Sequence, residues 1–163
     1  MVNRRIILAL PLLLAVPAPA QPAEAQPAEA QPANSLVAAL VICWQARGVR
    51  FTPEQVAARI GTRTGRAALL AVAGAWTDAN DDDQEIVVEI VWEAGQPASP
   101  AEPLMHRDLA KGLPLLLITG NGRTLLLHAL GTAADASEPL TGQRFSVKMG
   151  DIALIGRPVI GGA

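Results

Sequence analysis

The sequence predicts an α+β domain, with an N-terminal helical half, a central buried helix and a C-terminal antiparallel sheet. Three observations predict it. A helix of almost unbroken apolar character, LVAALVICWQAR (36–47), opens the folded part of the chain. A capped, amphipathic segment, FTPEQVAARIG, follows it directly. Later, the apolar run LPLLLIT (113–119) meets Asn121-Gly122, a strong two-residue hairpin signal. Helical elements first and paired strands after them are the mark of an α+β plan.

The first helix is given an N-cap by Asn34 or Ser35 and a stop by Gly48. Being apolar on nearly every face, it is expected to be buried at the centre. In the second segment, Thr52 and Gln55 form a capping box around Pro53 at the first helical position, and Gly61 ends the helix. A third helix is expected from Arg66 to Trp76. EIVVEIVW (85–92) reads both ways: its β-branched residues favour a strand, whereas Glu85, Glu89 and Glu93 recur at helical spacing. After the proline-rich QPASPAEP, LMHRDLAKG is a short helix stopped by Gly112. LPLLLIT is then a buried strand, RTLLLHALGTA pairs back on it, and RFSVKM (144–149) adds another strand.

The residues before this domain carry an address. Arg4 and Arg5, an apolar run from Ile6 to Val16 and Ala18-Pro19-Ala20 form the pattern of a cleaved secretory signal, so residues 1–20 are expected to be removed on export to the periplasm or medium. The apolar run is too short to span a bilayer and contains Pro11. QPAEA, QPAEA and QPANS follow, and Pro and Ala with one acid in each of the first two units cannot build a core, so 21–33 is a linker. Residues 34–163 remain for one domain with its own core.

Composition narrows the function. A net charge of −2, with no basic patch carrying interleaved aromatics, gives no footprint for nucleic acid. With 50% hydrophobic but only 3% aromatic residues, the core must be aliphatic. Cys43 is the only cysteine, so no internal disulfide is available and stability must come from packing. DANDDDQE (78–85) shares alternating oxygen ligands with calcium loops but lacks their glycine and distal glutamate. It reads as a solvated acidic loop, and no metal or cofactor is expected.

SLVAALVICWQARGV, then FTPEQVAARIG, then DLAKGLPLLLITGNGRTLLLHALG, taken in that order, resemble the bacterial papain-like cysteine peptidases, the group that includes bacteriocin-leader-processing and related exported forms. The resemblance covers most of residues 31 to 155. It implies a nucleophile at the mouth of the first helix, where the helix dipole favours a thiolate, and a histidine from the facing sheet to take the proton. Aligned on Gly48, the nucleophile position falls at Ser35, so the family's cysteine is missing. Cys43, in the third turn, is a small buried hydrophobe in this reading. The resemblance puts the histidine at His128 rather than at His106, which reads as a surface residue. It makes Asp151 in KMGDI the candidate third member, without the aspartate-proline usual in the family, and Gln31 the candidate oxyanion residue. Gln31 also repeats Gln21 and Gln26 of the linker, and Ser35 also fits as a plain N-cap. The expected function is therefore a catalytically degenerate papain-like domain that binds a peptide or protein partner. The alternative is an active hydrolase using Ser35 with His128.

Overall fold

The computed structural model describes residues 32–161, with side chains from Asn34 onward. The signal, most of the linker and Gln31 lie outside the described residues. Helix α1 (Pro32–Gln45) begins three to four residues earlier than the sequence suggests, with Pro32 at its first position, where a missing N–H costs nothing. Ser35 therefore lies within the first turn and is not the cap. The chain turns out of α1 at Gly48, whose φ of +85° is open to glycine at no steric cost. Helix α2 (Pro53–Ile60) has both bonds of the Thr52–Gln55 capping box.

Helix α3 (Gly65–Ala71) is shorter than expected, because Gly74, at φ +125°, ends any helical continuation. Trp76 lies instead on strand β1 (Gly74–Thr77). Its indole N–H donates to the Val72 carbonyl at 2.8 Å, and its ring packs 5.6 Å from Trp44 and 4.8 Å from Phe51. Tertiary packing of one large aromatic thus overrides the local helical pattern. The ambiguous EIVVEIVW belongs to strand β2 (Asp83–Glu93), and the acidic run is the tip of the β1–β2 hairpin. Its acids are exposed except Asp78, whose Oδ1 accepts the backbone N–H groups of Asn80 and Asp82.

Helix α4 (Glu102–Ala110) is followed by strands β3 (Leu115–Thr119), β4 (Thr124–Leu130), β5 (Ala133–Ser137), β6 (Arg144–Lys148) and β7 (Ile152–Gly161). Together with β1 and β2 they form one antiparallel sheet in the order β1-β2-β7-β3-β4-β5-β6. The helices do not precede the sheet as a separate half: the β1–β2 hairpin comes before α4, and the last strand closes the middle of the sheet.

The sheet is covered on both sides. Leu36, Leu40 and Trp44 of α1 pack with Val56, Leu69, Leu116, Ile118, Leu126 and Leu154 on one face. Met105 of α4 packs with Leu115, Leu117, Leu125, Leu127 and Ile155 on the other. This explains why β3 and the start of β4 are continuous apolar runs rather than alternating ones. The two helical layers are joined at one point. Asp108, buried on α4, accepts bonds from Arg47 at the end of α1 (3.3 Å) and from Arg157 of β7 (2.7 Å) on the same oxygen. Arg47 also donates to the carbonyls of Cys43 and Pro114, and Arg157 to Glu89 of β2. Burial opposes the charge on Arg157, but hydrogen bonds to Asp108 and Glu89 outweigh it and hold its pKa above the ordinary range.

Removing Asp108 leaves two guanidinium groups facing each other without their carboxylate. Asp108→Ala is expected to destabilise the fold by about 3–5 kcal/mol, read from the urea unfolding midpoint.

Candidate functional site: the mouth of the first helix

Ser35, on the first turn of α1, is 5% exposed, and its hydroxyl donates to Glu138 Oε1 at 3.2 Å. The other carboxylate oxygen of Glu138 accepts a bond from Arg123 at 3.2 Å. Glu138 is set rigidly by its backbone, whose N–H donates to Gln143 and whose carbonyl accepts from Gly142, both at 2.8 Å. These two bonds close the turn between β5 and β6. Arg123, in turn, lies over the Phe145 ring at 4.3 Å. The mouth of the helix is therefore tied to the sheet through a serine, a glutamate and an arginine.

The strand residue that shares a pocket with the first turns of α1 is Thr124. It pairs with Ile118 in the α1-side core, and it lines a pocket of about 140 Å³ together with Leu36, Ile118, Arg63, Gly65 and Gly122. His128 lies four residues further along β4, about 13 Å away at the rise of a strand. It sits in a β-bulge, since Leu127 pairs with Ala136 and Ala129 with Asp135, leaving His128 as the extra residue. Its Nε2 meets Ser137 Oγ at 2.7 Å, not the hydroxyl of Ser35. Burial, and then the charge of Arg144, lower its pKa from the ordinary 6.5, against a smaller opposing pull from Asp135.

Asp151 does not join His128 either. It is exposed in the 3-10 turn Met149–Asp151, and its carbonyl accepts the N–H of Gly120 at the hairpin end of β3. His128 lies at the opposite end, beyond the Leu115–Leu127 pair. The expected grouping of Ser35, His128 and Asp151 does not form. The register explains this: β7 enters the sheet between β2 and β3, so Asp151 cannot reach β4's far end. Glu138, which sequence reading passed over, is the group bonded to Ser35, with Arg123 on its other oxygen and Thr124 lining the neighbouring pocket. The signal for Glu138 was an acid followed directly by proline, Glu138-Pro139, after a strand.

Cys43 is fully buried in the α1 core, and burial, only partly offset by Arg47, pushes its thiol up to about 12. It is no nucleophile at neutral pH. His106 is exposed on α4. Among the described residues no group of three or more His, Cys, Asp or Glu side chains is placed to hold a metal ion, and no helix is long and apolar enough to cross a membrane.

No protein-family model and no curated protein matches the chain. Among solved structures it is similar to the N-terminal peptidase C39 like domain of the toxin secretion ATP-binding protein from Vibrio parahaemolyticus. That similarity has 12% identity and a TM-score of 0.44, over 77% of this chain and 95% of the other.

What this arrangement can do chemically is limited. A serine hydroxyl is far harder to ionise than a thiol, and the helix dipole supplies only about 0.3–1 kcal/mol toward that end. No imidazole stands beside Ser35 to take its proton. The group is built to hold α1 against the sheet.

Two measurements test these assignments. Native protein is expected to react with a thiol reagent at Cys43 at least about tenfold more slowly than denatured protein, because the thiolate is suppressed and covered. For His128, a depressed pKa means that neutral imidazole stabilises the fold above pH 6.5. That contribution is lost as pH falls through the lower folded value. His128→Gln should therefore cost more stability at about pH 7.5 than at about pH 5, in paired denaturant midpoints.

Proposed function

We propose that this chain is an exported papain-like domain that binds a peptide or protein partner at the mouth of α1 and does not cleave it. The observation that carries this reading is the buried Ser35 hydroxyl donating to Glu138, whose second oxygen is held by Arg123. On this reading Ser35 stands at the family's cysteine position and Thr124 at its histidine position. Glu138-Pro139 then stands where the family has aspartate-proline. The carboxylate remains, while the nucleophile and the base are gone. With no imidazole between them, the glutamate binds the serine directly.

The pocket beside the mouth supports binding. Leu36 and Ile118 give it an apolar floor, and Gly65 and Gly122, both at positive φ with nothing within 4 Å of a Cβ, leave backbone edges open at its rim. Such a rim suits an extended segment, which can bond to backbone groups while a small apolar side chain enters the pocket. Export rests on the signal pattern of residues 1–20.

Purified protein is expected to release no product from peptide or ester substrates above buffer. Ser35→Cys alone should stay sluggish toward iodoacetamide at pH 7, since dipole without base gives little thiolate. Ser35→Cys combined with Thr124→His should react at least about tenfold faster, because Glu138 is already placed to orient the ring. Native hydrolysis that disappears in Ser35→Ala would defeat the proposal. No acceleration in a folded double variant would defeat the papain-like assignment of the mouth.

A further inference from the structure

The sheet is open, so it ends in two edge strands, β1 and β6. An edge strand offers a row of backbone N–H and C=O groups to any extended chain that meets it. The two edges of this sheet are finished differently. At β1 the row is taken. The Asp78 N–H donates to the Asp82 carbonyl, which makes Trp76–Gln84 and Gly74–Ile86 the bonded pairs with β2 and turns Ala75, Thr77 and Ala79 outward. The chain itself meets these outward groups. The Ala75 carbonyl accepts from Arg59 at 2.6 Å and the Thr77 carbonyl from Gln55 at 3.2 Å, while the Ala79 N–H donates to the Arg50 carbonyl at 2.9 Å. Helix α2 and the loop before it close this edge.

At β6 the row is open. The Glu138 N–H donates to the Gln143 carbonyl, so Ala136–Phe145 and Ala134–Val147 are the bonded pairs with β5, and Arg144, Ser146 and Lys148 turn their backbone groups outward. Among the described residues these outward groups have no partner. The side chains alternate in step with them. Arg144, Ser146 and Lys148 are exposed on one face, whereas Phe145 and Val147 are half-buried on the other, where they extend the α4-side core. The exposed face carries two cations. Arg144 is shared with the exposed Asp135, and Lys148 has no carboxylate partner among the described residues.

We propose that the outer edge of β6 takes an extended segment of another protein as an eighth strand, one in which acidic residues alternate with apolar ones. Main-chain bonds to Arg144, Ser146 and Lys148 hold it, acids fall beside the two cations, and apolar residues cover Phe145 and Val147. The period of two in the edge fixes its register, since a slip of one residue would set acids on the apolar face. A second copy of this chain does not fit. Two β6 strands paired antiparallel about Ser146 would put Arg144 opposite Lys148 at both ends, like charge against like. Strand β1 of a second copy has its outward groups already bonded. This surface is separate from the helix mouth, and the proposal does not rest on the reading given for that site.

The test titrates the full chain, at low salt, with a capped peptide of alternating Glu and Val, and with a Lys-Val peptide of equal length as control. With the Glu-Val peptide, amide hydrogen exchange at Arg144, Ser146 and Lys148 is expected to slow at least about fivefold, while Phe145 and Val147, already bonded to β5, change little. The Lys-Val peptide should leave all five unchanged. Ser146→Pro removes an outward donor that the β5 ladder does not use, and should weaken Glu-Val binding at least about tenfold. Because proline can disturb the strand, Lys148→Glu serves as a second variant and should shift the preference toward the Lys-Val peptide. Unaltered exchange at Arg144, Ser146 and Lys148 would overturn the proposal, as would chemical-shift changes confined to Leu36, Gly65 and Gly122 at the helix mouth. An unchanged peptide preference in folded Lys148→Glu, or slowing of the same amides with protein concentration alone, would also count against it, the latter in favour of a second copy.

Discussion

One buried carboxylate holds this fold together across both faces of its sheet. Asp108 leaves α4, on one side, and takes Arg157 from the interior strand β7 and Arg47 from the end of α1, on the other. A charge this buried is costly unless its partners arrive with it, so the elements that carry them must dock together. Arg47 fixes the C-terminal end of α1 through the Cys43 and Pro114 carbonyls as well. The opposite end of the helix is placed by the core packing of Leu36 and by the Ser35 bond to the Glu138 turn.

The two ends of α1 are thus anchored by the same kind of chemistry with different exposure. At the far end, the arginines around Asp108 are nearly enclosed, with Arg47 at 9% side-chain exposure and Asp108 at 5%. At the mouth, Arg123 is 43% exposed and its pair with Glu138 is screened by water. The mouth is the weaker attachment, and it borders the pocket. The softer end of the central helix lies away from the aromatic cluster of Trp44, Phe51 and Trp76, which packs near the helix's other end.

A serine–carboxylate bond at a helix mouth uses the helix dipole differently from a thiol–imidazole pair. With a thiol and an imidazole, the positive helix end stabilises a reactive anion. Here the anion near that end is Glu138, which is stable, bonded and unreactive. The same electrostatic feature that would serve catalysis serves docking of helix to sheet.

Much of this was legible from the chain alone. The capping box at Thr52, the stops at Gly48 and Gly112, the Asn121-Gly122 hairpin and the buried character of α1, β3 and Cys43 are local matters. Each depends on residues close in sequence or on a run of apolar side chains. Strand β7 was not legible, nor was its place at the centre of the sheet, because pairing between β2 and β3 joins residues far apart in sequence. Trp76 was misread as helical because its partners, Trp44 and Phe51, lie outside its own segment. At the site, the sequence placed Ser35 near the start of the first helix, which the structure begins at Pro32. It could not say which strand residue faces Ser35, because a shift of two positions along β4 keeps the same face but moves the side chain about 7 Å. Only the register of β3 with β4, the bulge at His128 and the turn that presents Glu138 decided that Thr124, Glu138 and Arg123, rather than His128 and Asp151, surround the mouth.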